Sequence, residues 1–195
     1  MEQKKNIAVF LDRDGTVCEE VGYLSSVTQM QLIPRSGKAI RKLNERGFKI
    51  IIVTNQAGVA RGFFPESILP ALHAEMERLL REEGAHIDGL FFCPHHPTEG
   101  IPPYRIACDC RKPAPGLLLK AASKFGVDLT SSYMVGDHLS DVECGQRVGA
   151  QAILLLTGHG REQLERMASL PVPPSHIAED LFEAVEWILD REGKQ

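Results

Sequence analysis

The sequence predicts an α/β fold, a doubly wound parallel sheet with helices on both faces, and three observations predict it. Short, nearly uninterrupted apolar runs recur at residues 7–11, 48–53, 87–93, 133–135 and 152–156. Stretches with helical apolar spacing separate the runs, and such strict alternation is the pattern of a parallel sheet. Three of the runs stop abruptly at polar residues, Asp12, Thr54 and Asp137. In open parallel sheets ligands bind beyond the carboxyl ends of the strands, so these stops mark the expected site.

The elements follow in order. Residues 7–11, Ile-Ala-Val-Phe-Leu, do not alternate, as suits a strand covered on both faces. In Asp12-Arg13-Asp14-Gly15-Thr16 the period of a strand sends Asp12 and Asp14 to one side and Arg13 away, and Gly15 permits a turn. Residues 20–24 lack periodicity and read as a loop close to whatever binds at Asp12. Ser36 is placed to cap a helix carrying Ala39, Ile40 and Leu43, with Gly47 as its stop. The strand at 48–53 leads into Thr54-Asn55-Gln56 and a glycine-containing loop, 57–62. A helix over 65–83 carries Leu72, Met76, Leu79 and Leu80. It tolerates Pro70 only in its first turn, and Gly84 ends it. After the third strand, the four prolines between 94 and 107 exclude a helix or a central strand and mark an inserted loop. Helices at about 115–125 and from Ser140 toward Val148 flank the fourth strand. The fifth strand precedes a charged helix near 161–170, a stiff proline linker at 171–174 and a final amphipathic helix at 181–189.

A chain of 195 residues reads as a single domain, 1–195, large enough to bury its own core. Its 43% hydrophobic and 25% charged residues are ordinary for a globular protein. A formal net charge of -4 argues against a nucleic-acid-coating protein. No stretch approaches the roughly 18 apolar residues of a membrane span, and residues 1–5 run toward the first strand without an apolar leader. No membrane or nucleic-acid partner and a cytoplasmic setting are therefore expected. In such a compartment the five cysteines are not a disulfide set.

The strand ends bring together carboxylates (Asp12, Asp14, Asp137, Asp141), hydroxyl and amide groups (Thr54, Asn55) and cations (Arg111, Lys112). Acids with a few donors and cations suit Mg²⁺ and a phosphate, and phosphoryl transfer is the economical chemistry. Asp141, one helical turn beyond Asp137, reads as a helix-start charge or a hydrogen-bond partner more readily than as a ligand. Cys93-x-His95 and Cys108-x-Cys110 supply three thiolates and an imidazole, a closed set for a structural Zn²⁺ that would pin the loop at about 93–110. His96 competes with His95 for the fourth position. Cys18 and Cys144 read as packing residues, and His73, His86, His159 and His176 as ordinary surface or helix histidines.

Asp12-Arg13-Asp14-Gly15-Thr16, Thr54-Asn55, Lys112 and Gly136-Asp137 through Asp141 resemble, in order, the four motifs of the haloacid dehalogenase superfamily of phosphohydrolases. The resemblance implies a Rossmann-like core. It makes Asp12 the nucleophile that forms an aspartyl-phosphate and Asp14 the general acid and then base. It also implies Mg²⁺ held by Asp12, the Asp14 backbone and Asp137, with Thr54 and Lys112 stabilising the phosphoryl group. Cys-Pro-His-His at 93–96, Cys-Asp-Cys-Arg-Lys-Pro at 108–113 and Gly22-Tyr23 are similar to the superfamily's zinc-loop subgroup, which lacks a separate cap domain. That subgroup contains heptose-bisphosphate phosphatases of lipopolysaccharide-precursor synthesis and, as the alternative, histidinol-phosphate phosphatases. Its pattern implies a sugar bisphosphate contacted by Glu20, Val21, Gly22, Tyr23, Thr54, Asn55, Gln56, Ala57, Gly58, Arg111, Lys112 and His138. The resemblance favours His95 over His96 as the zinc ligand. His138 stands where the heptose enzymes carry lysine, and a histidine offers charge there only when protonated. The open site of a capless enzyme points to a monomer. A polynucleotide-end phosphatase would need a basic, aromatic-studded groove, and neither appears in the sequence.

Overall fold

Six parallel strands form one sheet in the order β3-β2-β1-β4-β5-β6 in the computed structural model, which describes residues 6–193. The strands are β1 (Ala8–Leu11), β2 (Lys49–Asn55), β3 (Gly89–Cys93), β4 (Tyr133–Gly136), β5 (Gln151–Leu155) and β6 (His176–Ala178). The helices are α1 (Ser36–Glu45), α2 (Ala57–Ala60), α3 (Leu69–Glu82), α4 (Gly116–Phe125), α5 (Leu139–Gln146), α6 (Gly160–Glu165) and α7 (Leu181–Glu192). The expectation for residues 1–5 lies outside the described residues.

All four residues of β1 are buried, and they divide between two cores. Val9 and Leu11 join Ala39, Ile40 and Leu43 of α1 and Leu181, Val185 and Ile188 of α7. Ala8 and Phe10 pack on the other face with Leu117, Leu118 and Ala121 of α4. This double coverage is why the strand reads as a continuous apolar run rather than an alternating one. From β1 the chain moves outward to β2 and β3, then returns to place β4 on β1's other side. Such a reversal opens a crevice between the carboxyl ends of β1 and β4, into which Asp12 and Asp137 are delivered.

Several expectations need correcting. Ser36 is the first residue of α1, not its cap. Arg35 takes the cap position at φ 71°, while the Ser36 hydroxyl donates backward to the Val17 and Ile33 carbonyls at 2.9 and 2.8 Å. The segment after β2 is a one-turn helix, α2, rather than an irregular loop. The helix expected near 161–170 stops at Glu165 and continues only as a short 3-10 turn, Met167–Ser169. A sixth strand, β6, follows the proline linker and pairs parallel to β5. Its His176 is therefore not a helix or open-surface histidine: it is half-buried and stacks on Trp187 with ring centroids 4.8 Å apart. Pro70 does fall in the first turn of α3, where its missing N–H breaks no bond. No described helix is long and apolar enough to cross a membrane.

Candidate active site and metal centres

The backbone leaves β1 at Asp12, whose N–H still bonds the Val135 carbonyl of β4 at 3.0 Å. That bond fixes the first carboxylate over the crevice. Asp12 Oδ1 accepts from the Arg13 backbone N–H at 2.8 Å and lies 2.9 Å from Lys112 Nζ. Its other oxygen has no partner among the described residues.

Lys112 is buried and is held at three points. Its Nζ reaches Asp12 Oδ1, Asp141 Oδ1 at 2.7 Å and the Val53 carbonyl at 2.8 Å. Asn55, at the end of β2, grips the lysine's backbone through two bonds: its amide donates to the Lys112 carbonyl at 3.1 Å and its oxygen accepts the Lys112 N–H at 3.0 Å. Asn55 thus sets the position of the cation. Burial alone would favour neutral lysine, but the Asp12 and Asp141 carboxylates outweigh it and hold Lys112 protonated.

Asp137 sits at the end of β4, fully buried. Oδ2 accepts the His159 N–H at 2.8 Å, while Oδ1 has no partner among the described residues. Glycines make room for it. A Cβ on Gly15, at φ +73°, would stand 2.2 Å from Asp137 Oδ2, and one on Gly158 would stand 2.3 Å away. Burial, reinforced by Asp12 and Asp141, pushes the Asp137 carboxyl up to about 8. Burial likewise raises Asp12 to about 6 against the pull of Lys112.

Asp12, Asp137 and Asp141 place carboxylate oxygens within 4.8 Å of one another. Three crowded acids, two of which (Asp12 and Asp137) have raised proton affinity, and one orphaned buried oxygen on Asp137 are short of positive charge, and a small divalent cation fits them. Asp141 is already committed, accepting the His138 N–H at 3.0 Å and pairing with Lys112, so its role is to orient the lysine.

Asp14 is held by an array that the alternation argument did not foresee. Arg13 does not point away. Its buried guanidinium turns back and grips the Asp14 carboxylate through Nε at 2.9 Å and Nη2 at 2.8 Å. Gln56 closes the array: its amide donates to Asp14 Oδ2 and to Thr54 Oγ1, each at 2.9 Å, and its oxygen accepts from Arg13 at 3.1 Å. Thr54 does not line the cavity and is 1% exposed. Its hydroxyl accepts from Gln56 and retains a proton to donate.

Asp12, Arg13, Asp14, Gln56, Lys112 and Asp141 line a cavity of about 420 Å³, with Asp137 and Thr54 set behind its wall. Glu20, Gly22, Tyr23, Ala57, Gly58 and Arg111 line it, as expected of a binding wall, but Val21 does not and is 45% exposed. Arg61, Phe64 and His159 line it without having been singled out from the sequence. Arg61 joins three mouth segments: it donates to the Tyr23 hydroxyl and pairs with Glu99 of the proline-rich loop at 2.9 Å. His138 lines the cavity with its ring 4.9 Å from that of His159, and burial lowers its proton affinity. At neutral pH it is therefore a neutral donor or acceptor where the family resemblance implied a lysine cation.

The second cluster holds the proline-rich loop. Cys93, at the end of β3, lies with Cys108, Cys110 and His95 within 4.8 Å of one another. The three sulfurs are 2.8 to 3.5 Å apart and unbonded, and His95 Nδ1 stands 3.4 Å from Cys110 Sγ. Three thiols and an imidazole this close form a donor set for a tetrahedral soft or borderline cation. His96 is turned elsewhere, with Nδ1 accepting the Glu99 N–H at 2.9 Å. Arg111, next to Cys110, anchors Nη1 on the His95 carbonyl at 3.2 Å, so the cluster's geometry is passed to the cavity wall.

Comparison with known proteins gives consistent results. A family model described as HAD-hydrolase-like matches residues 109–184. The D-glycero-D-manno-heptose-1,7-bisphosphate 7-phosphatase of Chlorobaculum tepidum is 40% identical over 95% of this chain and 94% of its own length. The D-glycero-beta-D-manno-heptose-1,7-bisphosphate 7-phosphatase of Escherichia coli K12 is 37% identical over 94% of this chain and 88% of its own. Among solved structures, the D,D-heptose 1,7-bisphosphate phosphatase of B. bronchiseptica, complexed with magnesium and phosphate, superposes with a TM-score of 0.83. It is 34% identical and covers 95% of this chain and 99% of its own.

Proposed function

The chain belongs to the heptose-1,7-bisphosphate 7-phosphatase family of HAD-like phosphohydrolases, and from that premise we propose that it removes the 7-phosphate of D-glycero-D-manno-heptose 1,7-bisphosphate through an aspartyl-phosphate. The observation that carries the chemistry is the asymmetry of Asp12. Lys112 and the Arg13 N–H hold one oxygen, which leaves the other as the nucleophile facing the cavity.

In the first step Asp12 Oδ2 forms a bond to phosphorus and the bond from phosphorus to the sugar's O7 breaks. Asp14 gives its proton to that oxygen, which departs as an alcohol. In the second step Asp14 takes a proton from water, the water oxygen bonds to phosphorus, and the Asp12 carboxylate is regenerated as phosphate leaves. Lys112 faces the charge that builds on the phosphoryl oxygens, while Thr54, set behind the cavity wall, acts through its bond to Gln56. Mg²⁺, held by Asp12, the Asp14 backbone carbonyl and Asp137, would supply further neutralisation of that charge when bound. Cys93, His95, Cys108 and Cys110 would hold Zn²⁺ in a structural role, with no position left for substrate.

A cavity of this size suits a small sugar phosphate, and Arg111 and Arg61 at its mouth suit the substrate's second anionic group. The test is phosphate release, with Mg²⁺, from both anomers of the heptose bisphosphate and from histidinol phosphate. Phosphorus NMR should show loss of the 7-phosphate and survival of the 1-phosphate, and Asp12→Asn should abolish release. Faster release from histidinol phosphate would replace the substrate assignment, and release undiminished in Asp12→Asn would overturn the mechanism.

A further inference from the structure

Besides Thr16 Oγ1, two buried polar atoms near the acid/base residue lack partners among the described residues. Arg13 spends Nε and Nη2 on Asp14 and Gln56, while its Nη1 has no partner among the described residues although the residue is 1% exposed. His73, on α3, is also buried, and its Nε2 is the second orphan. Unpaired buried donors and acceptors are rare because each forgoes the hydrogen bonds it made in water. These two are complementary. A guanidinium N–H can only donate, and the unprotonated nitrogen of a neutral imidazole can only accept.

His73 is within electrostatic reach of both Arg13 and Asp14. Burial and the Arg13 charge depress its proton affinity to about 4, which keeps the ring neutral through the physiological range. The ring is fixed in orientation against Phe92 of β3, with centroids 5.6 Å apart. No surface role is open to it, and its helix otherwise contributes Leu69, Leu72, Met76 and Leu80 to the apolar core.

We propose that His73 is a positioning residue for proton transfer: its Nε2 accepts from one bridging water that itself accepts from Arg13 Nη1, and the bridge thereby fixes the guanidinium that aims the Asp14 carboxyl. The inference rests on Asp14 being the general acid of the reading above. Arg13 is a long side chain whose grip on Asp14 is as exact as its own anchoring. With Gln56 on one edge and His73 on the other, the guanidinium is held along its whole rim, and Asp14 needs no reorganisation when the leaving oxygen demands a proton.

The experiment compares first-turnover rates for two substrates. A sugar phosphate leaves as an alkoxide and needs the acid, whereas p-nitrophenyl phosphate leaves as a stable phenolate and does not. His73→Phe keeps the ring's bulk and removes the acceptor, and His73→Gln restores an acceptor oxygen. We expect His73→Phe to lose about 10- to 100-fold more on the sugar phosphate than on the aryl phosphate, and His73→Gln to recover most of that difference. Equal losses on both substrates, no loss on either, or a His73→Gln variant no better than His73→Phe would overturn the proposal. Asp14→Asn tests the underlying reading separately: if it shows no preference for the aryl phosphate, the general-acid assignment fails. Nitrogen-15 NMR of the unsubstituted protein keeps the contact testable even if a variant does not fold. His73 should carry its proton on Nδ1 with Nε2 bare, and an Nε2–H tautomer or an imidazolium at pH 7 would overturn the contact.

Discussion

Replacing Asp137 by asparagine should make the metal-free protein more stable while destroying its activity. Asp137 is fully buried beside Asp12 and Asp141, and its carboxyl is raised from an ordinary 3.8 to about 8, first by burial and then by those two acids. A folded-state value above the unfolded one means that the acid's contribution is fully favourable below about 4. It is lost as pH rises toward 8. At pH 7 about three units separate the solution from the unfolded value, and at 1.36 kcal/mol per unit the upper bound on the penalty is about 4 kcal/mol. Relaxation around the site makes a gain of about 1 to 4 kcal/mol the expected range. Asparagine fits the same place: its oxygen can accept the His159 N–H that Oδ2 now accepts at 2.8 Å, and its amide can donate to the neighbouring carboxylates. The assay is urea denaturation of both proteins in Mg²⁺-free buffer at pH 4.5 and pH 8, then with Mg²⁺. The variant's advantage should be no more than about 1 kcal/mol at the lower pH and largest at the higher. Mg²⁺ should stabilise the parent and leave the variant nearly unmoved. A variant less stable than the parent at pH 8 without Mg²⁺ would refute the reasoning, because it would show that the three acids are not short of positive charge.

Lys112→Met should behave in the opposite sense, losing both stability and activity. It leaves Asp12 and Asp141 without their buried counter-charge, a loss of about 3 to 5 kcal/mol by denaturation, and kcat should fall about 100-fold or more. Cys108→Ser or removal of the loop metal should raise KM about 10-fold or more and disturb kcat less, because Arg111 is anchored on the His95 carbonyl whereas Asp12 and Asp137 stand on the sheet. The loop should stay docked in part, since Ile101 N–H bonds the Ala60 carbonyl at 2.8 Å and the Tyr104 hydroxyl bonds Glu66 at 2.7 Å. Metal analysis should find one Zn²⁺ per chain in protein purified without chelator.

What was legible in the sequence was whatever burial writes into residue type. Strands covered on both faces leave apolar runs, and acids at their ends stand out against them, so Asp12 and Asp137 could be found without coordinates. The short β6 was not legible, because three residues after a proline linker have no room to show a period, and only pairing with β5 makes them a strand. Ser36 misled because a serine before an apolar stripe looks like a cap. In the fold, the Ile33 carbonyl of the preceding turn and the Val17 carbonyl, 19 residues earlier in the chain, compete for its hydroxyl. Arg13 misled because alternation holds within a strand, and β1 ends at Leu11; past that point a long side chain is free to curl back. Gln56 was marked as a substrate contact and does line the cavity, but the sequence did not show that its amide also holds Asp14, Thr54 and Arg13 together. His73 and His159 had no signal at all, since each matters only through an atom brought near by the fold.

The site's charges explain why the acids at the strand ends are not interchangeable. Four carboxylates, Asp12, Asp14, Asp137 and Asp141, meet two buried protein cations, Arg13 and Lys112, and each cation is tied to particular acids. Arg13 serves Asp14, and Lys112 is shared between Asp12 and Asp141. Asp137 is left with a backbone N–H and one bare oxygen. With every group ionised the sum is four negative against two positive, a deficit that one divalent cation matches. The protein's own cations are therefore tied to particular acids, in the proposed mechanism the proton carrier Asp14 and the nucleophile Asp12, and the remaining negative charge is what a divalent metal would neutralise. Supplying a third buried side-chain cation near Asp137 would balance the same charge and close the place where the phosphate's own counter-ion must sit.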